Sequence, residues 1–300
     1  MSGAVARLRV LIVATLVLAA GVATWAIART SGHRDGGATA AGTAHRTGPA
    51  SAAGGTAPAT AARTGPRPLG VGGRWRLIFD EEFNGGRLNL RRWQPNWLGA
   101  HNAAVTASPN SDDINCVLPG QATVGGGVLA LTTAQRPCRA GNGTTYRYAS
   151  GLVTTRRSFH FTYGYLEARV FLPSRGGHLI NFPAVWADGD HWPRTGELDV
   201  MEVLSDCGPG LGYHFHSPAG APGGCAAVPH PGGWHTVGAD WRPGHVTVYY
   251  DGRRVGQISS GVTGAPMYLI LDNNVDPTRG GPSVAGARML VDYVRVWQHP

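Results

Sequence analysis

From Trp75 onward, short apolar runs alternate with Gly, Pro, Asn and Asp, and no 3.6-residue period lasts beyond two turns. That pattern predicts strands rather than helices. Tyr163 to Leu172 alternates most cleanly, with Leu166, Ala168 and Val170 on one face and Tyr165, Glu167 and Arg169 on the other. Successive side chains of a strand point to opposite sides, so the segment predicts a strand with one buried face. Val246 to Ile258 predicts a hairpin: VTVYY and RVGQI flank Asp251-Gly252, a pair suited to a two-residue turn. Further strands are predicted at Leu77 to Asp80, Gly127 to Thr132, Ala184 to Trp186, Gly196 to Val203, Tyr213 to His216, Thr236 to Trp241, Met267 to Asn273 and Leu290 to Trp297. So many short strands separated by turn signals predict an all-β fold, a jelly-roll sandwich of two antiparallel sheets. The last of them ends close to the final residue, and no second C-terminal module is expected.

The first quarter of the chain has a different texture. Arg7 and Arg9 precede an apolar run from Val10 to Ile27, and Ala26-Ile27-Ala28 offers a small-x-small cleavage site, the pattern of an export signal. The run also approaches bilayer-spanning length, so an uncleaved membrane anchor is the alternative. From Ser31 to about Leu69 there is almost no large apolar side chain to offset ordering entropy, which predicts a flexible linker. The expected organisation is therefore a leader at 1–30, a linker at 31–70 and a catalytic sandwich at 71–300. Export places the sandwich outside the cell or at its surface.

Net charge changes the picture less than its total suggests. The chain carries +8, but residues 1–74 hold eight Arg against Asp35 alone, so the folded part is near neutral. This excludes nucleic acid as a partner and leaves the membrane only the N-terminal segment. A monomer is expected. In an exported chain four cysteines predict disulfides, with three pairings open. Cys116 with Cys138 and Cys207 with Cys225 are preferred because each pair brackets a Gly/Pro-rich loop that a short crosslink would order.

The candidate chemistry lies in Glu197-Leu198-Asp199-Val200-Met201-Glu202. In an unbroken strand Glu197, Asp199 and Met201 share a face and Glu202 falls on the other. One extra residue, a β-bulge, returns Glu202 to the side of Glu197 and Asp199. Three carboxylates on one face raise each other's cost of ionisation and push their pKa values apart, as separate acid and nucleophile roles require. A metal-binding or solvated acidic strand is the alternative, yet the folded part has only five Glu and two of them lie in this one apolar strand. Spacing alone leaves open whether such a pair would retain or invert configuration.

The segment GELDVME resembles the active-site signature of glycoside hydrolase family 16, the laminarinase and lichenase-like family, in its bulged form. The likeness extends in order through FDEEFNG, LALTT, SGLVTTRRSFHFTYGYLEARVFLP, FPAVW, HWPRTGELD, WHTVGADWRPGHVTVYYDG and VDYVRVW, over about residues 74–298. The resemblance implies a retaining enzyme with a concave cleft, Glu197 as nucleophile, Glu202 as general acid/base and Asp199 tuning the nucleophile. It also implies sugar-stacking roles for Trp192 and Trp186, since a pyranose ring offers an apolar face to an aromatic one. His214 and His216, two apart in YHFH, share a face, and one of them would lie near the acid/base; a zinc site is the minor alternative. Asn96, Arg156 and Arg157 are candidate outer-subsite hydrogen-bonders. No cofactor is needed for the chemistry, and Asp292 matches the position of a structural calcium in some relatives.

The expected function is endo-hydrolysis of a β-linked polysaccharide, a β-1,3- or mixed-linkage β-1,3-1,4-glucan first. The extra residue before Glu202 argues against xyloglucan, and the near-neutral charge argues against sulfated galactans. Alternatives are an agar- or galactan-type hydrolase, a transglycosylase, or a non-catalytic carbohydrate-binding sandwich. The chain departs from the family pattern at Ala187-Asp188-Gly189-Asp190-His191, where many relatives are aliphatic, and at PMYLILDNNVDP.

Overall fold

The computed structural model describes residues 65–300, all within one compact unit. The predicted leader and most of the predicted linker lie outside the described residues. Fourteen strands build two antiparallel sheets. In chain order they begin with β1 (Arg76–Glu81), β2 (Ala122–Gly125), β3 (Val128–Thr132), β4 (Leu152–Thr154) and β5 (Gly164–Leu172). Next come β6 (Phe182–Gly189), β7 (Glu197–Glu202), β8 (Leu211–His216), β9 (Gly223–Ala226) and β10 (Gly233–Arg242). The series closes with β11 (His245–Tyr250), β12 (Arg253–Ile258), β13 (Met267–Asn274) and β14 (Arg288–Gln298). One sheet runs β12-β11-β10-β5-β14-β3-β2, with β1 also on β14; the other runs β9-β8-β7-β6-β13-β4. The jelly-roll expectation is met.

Alternation explains the core. Leu166, Ala168 and Val170 of β5, Val237, Ala239 and Trp241 of β10 and Val294 and Val296 of β14 meet Val185 and Ala187 of β6, Leu198 of β7 and Leu269 and Leu271 of β13 in one apolar cluster. Each buried Val or Leu of this cluster contributes roughly 1.5–3 kcal/mol relative to exposure. The intervening residues of β6 and β13 point the other way, and there they build the cleft. Trp93 and Trp297 are fully buried, while Trp75 sits at the rim against His299.

Two expectations need correction. The second face of β5 is not solvated: Tyr165 and Glu167 are buried because the chain before β1 lies on them. Leu69 N–H donates to Glu167 Oε2 at 2.7 Å, and Tyr293 donates to its other oxygen at 3.0 Å. The same contacts shorten the linker, since Trp297 Nε1 also donates to the Pro66 carbonyl at 2.9 Å. Composition alone placed Pro66 and Leu69 outside the sandwich.

The disulfides join Cys116 to Cys138 and Cys207 to Cys225, and no free cysteine remains among the described residues. Their sequence separations of 22 and 18 residues correspond to about 2–4 kcal/mol each through restriction of the unfolded chain. Reduction should therefore lower the midpoint of thermal unfolding by about 5 °C or more, measured by calorimetry with and without reductant. An unchanged midpoint under full reduction would contradict a structural role for both crosslinks.

Candidate active site

Local geometry fixes the catalytic strand. Gly196, with φ of 90°, precedes β7, and a side chain there would meet Thr263 Oγ1 at 2.4 Å. Only glycine enters the strand at that point without strain. Along β7 the register with β6 runs Asp188↔Glu197, Ala187↔Leu198 and Trp186↔Asp199, then slips, so that Val185 faces Met201 and Ala184 faces Glu202. The register with β8 slips at the same place, between Asp199 and Glu202. Val200 is the extra residue of a β-bulge, and past it the pleat is reversed. Leu198, Val200 and Met201 all enter the core, while Glu197, Asp199 and Glu202 line the cleft.

The bulge leaves the Val200 carbonyl without a ladder partner, and the opposite sheet supplies one. Tyr250 of β11 reaches across the core with its hydroxyl 2.9 Å from the Val200 carbonyl and 3.1 Å from that of Gly212, the residue paired with Glu202. A buried carbonyl left unsatisfied costs about 1–3 kcal/mol, so Tyr250 pins the bulge.

The cleft encloses about 540 Å³ on the outer face of the second sheet. Register arranges its floor in rows: Tyr268, Asp188, Glu197, His216; then Ile270, Trp186, Asp199, His214; then Asp272, Ala184, Glu202, Gly212. His214 Nδ1 lies 2.9 Å from Glu202 Oε2. His216 Nε2 lies 3.0 Å from Asp199 Oδ2, in contact but off the angle of a hydrogen bond. Both predicted histidines thus touch a carboxylate; His216 lines the main cleft and, with His214 and Glu202, an adjoining cavity of about 360 Å³. Glu197, Asp199 and His216, and likewise Asp199, Glu202 and His214, are close enough to share an ion.

Burial sets the electrostatics. It raises the Glu197 carboxyl to about 9, with the charge of Asp199 adding to the effect. Asp199 is wholly buried and lies well above the usual carboxylate range, first from desolvation and then from Glu202. Burial also lifts Asp188 and Asp113 to about 7 and Asp272 well above normal. Both carboxyls are held above the usual range, and such a coupled pair titrates as a unit.

The remaining sequence-predicted residues divide. Trp192 is 58% exposed at the cleft, presenting a free aromatic face. Trp186 also lines the cleft, but it is buried, packs on Trp97 and donates its indole N–H to Asp272 at 2.7 Å. Arg156 pairs with Asp190 at 3.1 Å beside the cleft and sits over the Tyr268 ring. Asn96 is a correction: it is fully buried, and its amide bonds to Gln94, Gly99, His101 and Asn102, leaving nothing for a sugar. Arg157 likewise ties down the carbonyls of Gly99 and Ala100. Sequence reasoning set Asp188, Asp272 and Asn274 in segments expected to border the cleft without singling them out, and it missed Arg279 and Trp97. Parity could have found the first three, because Asp188 shares a face with Trp186, and Asp272 and Asn274 share one with Tyr268. Arg279 and Trp97 come from loops and carry no periodic signal.

The fold and the site together define a jelly-roll sandwich with a carboxylate-lined cleft on the outer face of one sheet. The catalytic domain of a Thermotoga petrophila endo-1,3-beta-glucanase (laminarinase) superposes with a TM-score of 0.63 at 25% identity, covering 75% of this chain and 98% of that one. An endo-1,3-1,4-beta-glycanase of Rhizobium meliloti, ExsH, is 29% identical over 73% of this chain and 51% of its own length. A beta-glucanase of Rhodothermus marinus is 26% identical over 75% of this chain and 85% of its own. The chain spans about half the length of the first two curated relatives it matches. No family model matches it. The bulged GELDVME strand, the fold and these relatives make the chain similar to the laminarinases and endo-beta-glucanases.

Tyr250→Phe should lower stability by about 1–3 kcal/mol and reduce turnover by loosening Glu202, read by denaturant melts and initial rates. Wild-type stability and rate in this variant would show that the bulge holds itself.

The raised carboxyls also fix the sign of the pH response. From unfolded values near 4 to folded values of about 7 for Asp113 and Asp188, the folded chain binds more protons than the unfolded one. Stability from these groups is complete below that window and is lost as pH rises through it. Thermal melts should give a higher midpoint at pH 5 than at pH 9, and the reverse order would contradict the assignment.

Proposed function

We propose that the chain is a retaining, endo-acting glycoside hydrolase that cleaves internal β-1,3 or β-1,3-1,4 linkages of a glucan by double displacement. The observation that carries the reading is the slip at Val200, which sets Glu202 on the cleft face with Glu197 and Asp199. In the proposed sequence Glu197 attacks the anomeric carbon while Glu202 protonates the departing glycosidic oxygen, forming a glycosyl-enzyme ester. Glu202, now ionised, then takes a proton from water, which attacks the same carbon and frees Glu197. Asp199, coupled to Glu197, tunes the nucleophile. His214, 2.9 Å from Glu202, orients the acid/base. Trp192 offers the exposed face on which a pyranose ring stacks.

Relatives named as 1,3-1,4-glycanase and β-glucanase support a neutral glucan as substrate, ahead of agar- or galactan-type polymers and ahead of a non-catalytic binding role. The mechanism uses no cofactor. The Asp292 carboxylate, the candidate calcium ligand, is held by Arg169 at 2.6 Å. Two disulfides fit an oxidising compartment, which agrees with export to the cell exterior, whether the leader is cleaved or retained as an anchor.

The test is hydrolysis of laminarin, barley β-glucan, agarose and xyloglucan by the full chain, with product sizing. Mixed oligosaccharides from one of the first two are expected, and no release from either would overturn the substrate. Glu197→Gln should lower turnover more than about 100-fold; activity within about tenfold of wild type would remove Glu197 from the nucleophile's role.

A further inference from the structure

Arg279 is a cleft residue to which the mechanism above gives no task. It stands two residues past PMYLILDNNVDP, where the chain departs from the pattern of the family it resembles. Asp276, fully buried, builds the turn that carries it. Its Oδ1 accepts the backbone N–H groups of Thr278 and Arg279, each at 2.9 Å, and its Oδ2 accepts Arg279 Nε at 2.7 Å. The Arg279 carbonyl in turn accepts the Ser205 N–H at 2.6 Å, which ties the turn to the loop after β7. Held along that edge, the guanidinium lies over the Phe182 ring, with Cζ 5.2 Å from the ring centre. Its two terminal nitrogens make no hydrogen bond among the described residues, and 43% of the side chain is exposed.

Position gives those donors a use. Arg279 lines both the main cleft and the adjoining cavity of about 360 Å³, whose walls also include Glu202, Ser205, His214 and His216. Glu202 borders both spaces, whereas Glu197 borders only the main cleft. In the proposed chemistry the sugar under attack stays beside Glu197, and the sugar that departs presents its oxygen to Glu202. The space that touches Glu202 and not Glu197 is therefore the one open to the departing sugar. Its volume falls within the roughly 300–1,000 Å³ of small-ligand sites. A guanidinium fixed along one edge is a pre-organised fork, and its free edge suits neighbouring hydroxyl oxygens.

Resting on the glucanase reading above, we propose that Arg279 determines specificity on the leaving-group side: its terminal nitrogens donate to hydroxyls of the sugar that departs with the glycosidic oxygen, holding that oxygen at Glu202. Pairing with Asp276 compensates the charge of Arg279, so the contact needs no anionic substituent on the sugar. Binding energy from a part of the substrate that does not react is then realised in the rate at which the bond breaks.

The experiment compares the full-length wild type with Arg279→Met and Arg279→Lys on two kinds of substrate. Laminarin and barley β-glucan release a sugar, whereas β-laminaribiosyl fluoride releases an ion too small to span the cavity to Arg279. The readout is the ratio of kcat/KM on glucan to kcat/KM on the fluoride, which cancels any loss of folded enzyme, and thermal melts accompany each variant. Arg279→Met keeps the apolar stem and removes every side-chain donor. It should lower the ratio by about 10- to 100-fold. Arg279→Lys keeps a cation for Asp276 and loses the fork, and it should lower the ratio by about threefold or more. Because Arg279→Lys preserves the ion pair, the test stands even where Arg279→Met fails to fold. A fall smaller than about threefold in either folded variant, including equal losses on both kinds of substrate that track a lowered melting temperature, overturns the proposal while the glucanase reading stands. A wild type inactive on both glucans overturns the two together.

Discussion

A single residue too many, Val200, decides what the rest of this molecule can do. Without it the strict two-residue period of a strand would send Glu202 into the apolar core. With it, Met201 takes that place and Glu202 joins Glu197 and Asp199 in the cleft. A bulge breaks the hydrogen-bond ladder on the strand that carries it, and here both flanking registers slip together. The fold compensates from the far side of the sandwich, where Tyr250 reaches the Val200 and Gly212 carbonyls. The hairpin carrying Tyr250 is remote from the cleft, yet it is part of what positions the acid.

The second constraint is electrostatic. Asp188, Glu197, Asp199, Glu202 and Asp272 line one cleft, and Arg279 is the sole Arg among its lining residues. Arg279 is itself held by buried Asp276 at 2.7 Å. Burial and mutual repulsion keep protons on part of this group at neutral pH. The arrangement opposes folding as the pH rises and places carboxyls of raised and coupled titration side by side in one cleft. Structural stability and catalytic poise pull in opposite directions here, and the two disulfides and the apolar core offset the difference.

Much of this was legible in the sequence because strands write their faces in a period of two. The alternation in Tyr163–Leu172, the Asp251-Gly252 turn and the need for a bulge before Glu202 follow from parity alone. What escaped was tertiary. Glu167 reads as solvent-facing until the 66–69 segment is laid over it. Asn96 reads as a surface amide until its loop folds around it. Arg279 and Trp97 reach the cleft from loops whose paths no local pattern encodes. Asp188 was readable, since it shares Trp186's face, but a single carboxyl in an apolar strand gives no hint that one of its oxygens lacks a partner.

The central claim is that the bulge brings Glu197 and Glu202 close enough to act in turn on one anomeric carbon. Retaining chemistry requires the two carboxyls at about 5–5.5 Å, whereas at about 6.5–9.5 Å a water fits between them and configuration inverts. Proton NMR of the first anomer released from a β-glucan therefore tests the account most directly. The β-anomer appearing ahead of mutarotation is the predicted result, and initial release of the α-anomer would contradict it.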